Sequence, residues 1–128
     1  EPLRALAPNA VILATGSVPL VLPIPGLADC GYVTAQDLLL GKTAAGRRAL
    51  VVGGGMVGCE AAEYLAERGH QVAIVEMKDV IAADVTPENR RYMFRNFEED
   101  HVLLQHGAKA PGNAVLATGD ALEAALAI

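Results

Sequence analysis

Six residues, Gly53-Gly54-Gly55-Met56-Val57-Gly58, place glycines at GxGxxG spacing between an apolar run and a helix-forming stretch. The run before them, Ala49-Leu50-Val51-Val52, is short, branched and apolar, as a buried strand is. Met56 to Arg68 reads as a helix closed by Gly69. A second branched run, Val72-Ala73-Ile74-Val75, then delivers Glu76, 18 residues beyond the last glycine. Strand, tight turn, helix, parallel strand and terminal acid within about 30 residues form the dinucleotide-binding fingerprint. Few other local folds satisfy all five parts.

Each residue of the pattern has a physical task in that reading. Gly53 permits the tight turn out of the strand, and Gly55, lacking a Cβ, lets the backbone approach a pyrophosphate. Gly58 allows the helix to lie close to the sheet. Gly54, Met56 and Val57 complete the turn, whose free N–H groups and positive dipole end face the phosphates. Glu76 can accept hydrogen bonds from both hydroxyls of an adenine ribose, with Met77 and Lys78 beside it at the rim. A 2′-phosphate would meet the charge of Glu76, which favours NAD over NADP. Lys78 argues the other way, because a nearby cation can accommodate that phosphate.

Composition narrows the class. The chain has 128 residues, room for one domain with a modest core, and its 52% apolar share suits a parallel sheet covered by helices. A net charge of −5 and 4% aromatic residues give neither a basic stripe nor a stacking platform, so nucleic acid is not an expected partner. No apolar run approaches a bilayer's thickness, and no charged–apolar–small leader opens the chain, so a cytoplasmic protein without membrane contact is expected. Cys30 and Cys59 are too far apart for a CxxC pair and too few for an iron–sulfur site. Cys59 falls in the first turn of the expected helix and has two readings, a thiol with a lowered pKa or a small residue filling a helix–strand contact. His70, His101 and His106 lack partners at ligand spacing, so no metal site is expected.

Outside the fingerprint the organisation is uneven. Ala10 to Ala14 reads as an apolar strand ended by Thr15-Gly16, followed by an extended strap punctuated by Pro19, Pro23 and Pro25. Thr34 to Leu40 reads as a short helix capped by Thr34 and stopped by Gly41. Thr86-Pro87-Glu88 starts another helix that should run to about Asp100, with Tyr92 and Met93 inward and Arg90, Arg91 and Arg95 exposed. His101 to Leu104 is the next strand. Ala114 to Ala117 is a last strand, ended by Thr118-Gly119-Asp120 and followed by a short helix. The expected division is 1–18 as a flanking strand and crossover, 19–48 as strap and short helix, 49–113 as a Rossmann domain, and 114–128 as a return segment. The fold class expected is α/β: a Rossmann-like, three-layer parallel sheet that is a fragment of a larger FAD/NAD(P)-binding region.

With these residues in place, the chain resembles the NAD-binding part of the two-dinucleotide-domain, glutathione reductase-like flavoproteins. The most specific stretches are VILATGSVP (Val11 to Pro19), VTAQDLLLGK (Val33 to Lys42) and VVGGGMVGCEAAEYLAERGHQVAIVEM (Val51 to Met77). IAADVTPENRRYM (Ile81 to Met93) most resembles NADH:flavin oxidoreductases of the 2,4-dienoyl-CoA reductase, enoate reductase and trimethylamine dehydrogenase type. The resemblance implies that Thr15 and Gly16 lie where the chain crosses from a flavin domain, and that Gly53, Gly55, Gly58 and Glu76 hold NAD(H). Glu60 matches an acid that in related reductases lies toward the nicotinamide; the other reading is a favourable charge in the first helical turn. Asp120 has two readings as well, a flavin-site aspartate or an ordinary turn residue at the second crossing.

The family's first GxGxxG would lie upstream of Glu1. The barrel that carries FMN and an iron–sulfur cluster in such proteins is not matched, and the family's three-stranded antiparallel excursion between Lys109 and Asn113 is missing or drastically shortened. What the resemblance implies is an NADH-presenting domain of an NADH:flavin oxidoreductase, with FAD or FMN held by the remainder of the flavoprotein. Chemistry would belong to the cofactors, no residue here being a catalytic acid, base or nucleophile, and the isolated chain is expected to bind nucleotide without turnover. Two alternatives stand beside it: a structural nucleotide-binding module, and the NAD domain of another disulfide reductase or NADH oxidase.

Overall fold

The structure, a computed structural model, describes residues 2–107. Eight elements follow one another: helix α1 (Pro2–Ala5), a single 3-10 turn (Ala28–Cys30), α2 (Ala35–Leu39), β1 (Arg48–Val52), α3 (Met56–Ala66), β2 (Gln71–Val75), α4 (Pro87–Glu99) and β3 (Leu103–Gln105). The three strands form one parallel sheet in the order β1-β2-β3. This is the α/β, Rossmann-like arrangement that the glycine turn and its flanking strands imply.

Register decides which side chains meet. Val51, Ile74 and Leu104 stand in one row, and Leu50, Ala73 and Leu103 in the next. The first row faces the core formed by Cys59, Ala62, Leu65 and Ala66 of α3 and Met93 and Phe97 of α4. Small residues on α3 let it lie close against β2, and α3 touches both α2 and α4. Leu38 of α2 lies in the same buried cluster, so among the described residues the helices α2, α3 and α4 form one layer on this face of the sheet, and the third layer expected from the sequence is not among them. A side-chain bond from Asn96 to Glu63 also ties α4 to α3. On the other face Val52 and Leu103 remain partly exposed, while Ala73 and Val75 of the central strand are buried.

Helix ends follow local chemistry. The Thr34 hydroxyl accepts from the Asp37 amide at 3.1 Å, capping α2, and Gly41 closes it in the left-handed region. Gly69 ends the α3 turn in the same way at φ +81°. At the end of α4 the bonds are those of a Schellman motif, Val102 N to Phe97 O and His101 N to Glu98 O, with His101 rather than glycine at φ +56°.

Four expectations need correction. Ala10 to Ala14 forms no strand: Ile12 and Leu13 are almost fully exposed and no described strand lies beside them. An apolar run becomes a strand only where another strand completes its ladder. Tyr92 points to solvent, and Phe97, four residues after Met93 on the same helical face, is the inward aromatic. Arg90 is not a free surface charge, because its Nε donates to the Ile81 carbonyl at 3.0 Å and its guanidinium lies over Phe94. His101 belongs to the α4 terminus and β3 starts at Leu103. The expected strand Ala114–Ala117, the helix after it and Asp120 lie outside the described residues. Among the described residues no helix is long and apolar enough to cross a membrane.

Candidate functional site

The carboxyl ends of β1 and β2 bring the glycine turn and the acid together. Gly53 leaves β1 at φ +107°, where side-chain-bearing residues are strained, and its N–H bonds to the Val75 carbonyl at 2.8 Å. Gly54 is buried, and a Cβ there would come within 3.1 Å of the Glu76 Cβ and 3.2 Å of Ile81. Gly58 is the tightest position, because any Cβ would run into the Gly53 carbonyl oxygen. The glycines therefore divide their work: conformation at Gly53 and close packing at Gly54, which the GxGxxG pattern does not single out, and at Gly58.

Glu76 follows directly on β2, half-buried, and both its oxygens hold backbone amides. Oε2 accepts from Gly54 N at 2.7 Å and Oε1 from Lys78 N at 2.8 Å. A carboxylate offers about four acceptor positions, so two remain for ribose hydroxyls. Met77 and the Lys78 side chain are exposed beside it. The acid thus fits its expected place and also locks the turn, which the sequence did not show.

The N-terminus of α3 holds a second surprise. Gly55 is the N-cap residue, at φ −75° and ψ −178°, and offers no side chain. The cap comes instead from Asp84, whose two carboxylate oxygens accept from Met56 N at 3.0 and 3.1 Å. The same carboxylate lies 3.2 Å from where a Gly55 Cβ would stand. Asp84 sits in the turn between β2 and α4, far from Met56 in sequence, and no local pattern announces the pairing. The space that Gly55 keeps open is filled by a carboxylate. The donor set at this helix end suits an anion, and a pyrophosphate fits it by chemistry.

Other expected site residues are placed apart. Thr15 and Gly16 lie in an exposed stretch without regular structure, and no hydrogen bond among the described residues ties them to the turn. Glu60 is exposed at the fifth position of α3, so the reading of a first-turn charge on the helix dipole fails. Val57 is also exposed on the first turn. Cys59 is fully buried, and its Sγ donates to the Gly54 carbonyl at 3.5 Å. Burial, helped by the nearby Asp84 and Glu76 charges, pushes its thiol up from the ordinary 9.0 to about 11. It is a packing residue and not a thiolate.

A depression of about 550 Å³ is lined by Val80, Ala82, Val85, Arg90, Arg91 and Phe94. It contains none of the turn's residues and is mostly apolar. Gly55, Met56 and Glu76 lie outside it.

The family model described as pyridine nucleotide-disulphide oxidoreductase matches residues 3–126. The chain is 45% identical over 111 residues to the NADH oxidase of Thermoanaerobacter brockii, covering 84% of the chain and 17% of that protein. It is 38% identical over 109 residues to the bilirubin reductase of Mediterraneibacter gnavus, covering 85% of the chain and again 17% of the relative. Among solved structures, a 2-naphthoyl-CoA reductase complex superimposes with a TM-score of 0.70 at 28% identity, over 73% of this chain and 14% of that one. The chain therefore spans about a sixth of the length of the relatives it matches.

Proposed function

Because this chain belongs to the pyridine nucleotide-disulphide oxidoreductase family of FAD- and NAD-binding flavoproteins, we propose that it is the NADH-holding segment of a flavin-dependent oxidoreductase. The observation that carries this reading is the joined site, in which Glu76 holds the amide of Gly54 inside the glycine turn. The N–H groups at the start of α3 bind the pyrophosphate, and the free acceptor positions of Glu76 take the ribose hydroxyls. Its charge sets NADH ahead of NADPH. When bound, NADH supplies a hydride for a flavin, and the remainder of the flavoprotein holds that flavin. This chain's residues bind and orient the donor. No acid, base or nucleophile is assigned among the described residues.

The finer assignment, an NADH:flavin oxidoreductase of the 2,4-dienoyl-CoA reductase or enoate reductase type, is part of the same proposal. Its support is the stretch Ile81 to Met93 and the NADH oxidase and reductase names among the relatives. An NADH oxidase or disulfide reductase of another type in the same family is compatible with the same residues. The matched family speaks for FAD and gives no support to FMN. Thr15, Gly16 and Glu60 enter the proposal as residues near the flavin domain crossing and the nicotinamide end. Stoichiometric titration of the full-length protein with NADH tests it. Bleaching of the flavin absorbance in proportion to added NADH is expected. Nucleotide binding with no bleaching would make the site a structural nucleotide pocket.

A further inference from the structure

Helix α3 begins where an anion belongs, and this chain supplies one of its own. We propose that Asp84 is an internal occupant of the pyrophosphate position, which leaves the α3 N-terminus when dinucleotide binds and so sets the affinity and ligand selectivity of the site. This inference rests on the nucleotide-site reading above and adds a regulatory contact to it.

Three observations carry it. Both Asp84 oxygens lie on the Met56 amide, at 3.0 and 3.1 Å, and that amide is the first helical donor. The carboxylate also fills the volume beside Gly55, standing 3.2 to 3.7 Å from the Cβ that glycine lacks. A bound pyrophosphate needs the same donor and the same volume, and two anions cannot share them. Finally, the carboxylate is exposed while its turn is anchored behind it. Ala82 N donates to Gly54 O at 2.6 Å, Ile81 and Ala82 are buried, and Arg90 Nε holds the Ile81 carbonyl at 3.0 Å. Ala82 keeps a left-handed φ of +56°, a conformation that the surrounding bonds impose on a residue with a Cβ. The side chain of Asp84 can therefore rotate away without moving the base of the turn.

An ordinary cap does not account for this arrangement. Ser, Thr, Asp and Asn at the N-cap cap a helix with their own side chain, whereas Gly, also common there, brings none. Here the N-cap is the bare Gly55 and the cap is borrowed from the turn between β2 and α4. A local side chain would block a pyrophosphate permanently, whereas a borrowed one can yield. Ligands with negatively charged phosphates can take over the donor from a carboxylate, and an uncharged nucleoside cannot.

The test compares the intact protein with Asp84→Asn, which keeps an acceptor oxygen for Met56 N but removes the charge. NADH, ADP and adenosine are titrated against each, with thermal melts to confirm that both fold. Removing the competing anion should tighten NADH and ADP binding by roughly three- to tenfold and leave adenosine unchanged. The gain should persist in about 1 M salt, where the Debye length is about 3 Å and general repulsion is screened. A gain that disappears in salt, or NADH binding unchanged or weakened by the substitution, overturns the proposal while leaving the nucleotide site intact. If neither protein binds NADH, the nucleotide-site reading falls and this inference with it. In the unsubstituted protein, the Asp84 carboxyl carbon resonance should shift on adding ADP but not adenosine. A resonance indifferent to ADP would overturn the proposal independently of the variant.

Discussion

The Glu76 carboxylate accepts from the Gly54 amide at 2.7 Å, so the acid that ends β2 and the turn that ends β1 are one unit. Binding and stability therefore meet at this side chain, and substitutions can separate them.

Glu76→Ala leaves the N–H of the buried Gly54 without an acceptor, which should cost about 1–3 kcal/mol of stability. Glu76→Gln retains an oxygen for that amide and should melt close to the unsubstituted protein. Both should shrink the preference for NADH over NADPH, a preference of about 1–2 kcal/mol for a like-charge contact in a partly solvated site. Paired nucleotide titrations and thermal melts read the two effects separately. Equal affinity of the unsubstituted protein for both nucleotides would move the assignment from Glu76 to Lys78.

Gly58 answers to geometry alone. A Cβ there enters the Gly53 carbonyl oxygen, a backbone atom held in place by the bond from Gly53 N to Val75 O. Gly58→Ala should cost about 3 kcal/mol or more, at the upper end of overpacking penalties. Gly46→Ala is the control, since its nearest neighbour would stand at 3.9 Å, and it should leave the urea midpoint almost unmoved. Similar midpoints for the two variants would mean that the turn rearranges freely.

These positions also show how far local sequence reaches. The turn, α3, β2 and the placement of Glu76 were legible because they follow one another within the fingerprint, and each is fixed by neighbours close in sequence. Ala10 to Ala14 carries the same apolar signal as β1, yet β1 has β2 beside it and the earlier run has no described partner. Strand character depends on that distant choice. Phe97 was available to reading, being one helical turn beyond Met93, whereas Tyr92 falls off that face. Asp84 was not, because its meeting with Met56 follows only from β1 and β2 ending side by side.

The Cys59 thiol gives a pH signature. Its folded pKa of about 11 stands above the ordinary 9.0, so the folded state holds this proton more tightly than the unfolded chain does. The contribution is fully present below pH 9 and is lost as pH rises toward 11, so stability should fall over that window. Cys59→Ala should flatten this part of the profile while lowering stability at neutral pH by leaving a small cavity. In the native protein at neutral pH, a thiol reagent should modify the exposed Cys30 and spare Cys59. Rapid labelling of Cys59 without unfolding would contradict its burial.

Gly55 separates binding from folding most cleanly. Its φ of −75° is open to any residue, so a side chain there strains no backbone. The nearest neighbours of a Cβ there are the atoms of the Asp84 carboxylate, at 3.2 Å and beyond, and that exposed group can swing aside by giving up its bond to Met56 N. Gly55→Val should therefore fold, with stability lowered by about 1 kcal/mol for the displaced Asp84 cap. Its branched side chain would nonetheless fill the space that a pyrophosphate needs. Nucleotide affinity should fall further than in Glu76→Ala, which removes ribose hydrogen bonds of about 0.5–3 kcal/mol. In the intact flavoprotein, stopped-flow should show slower flavin reduction by NADH and unchanged reoxidation by the acceptor, because the second half-reaction does not use this turn. If binding were abolished and NADH-driven turnover persisted, hydride would be entering the flavin from another site, and this turn would serve structure alone.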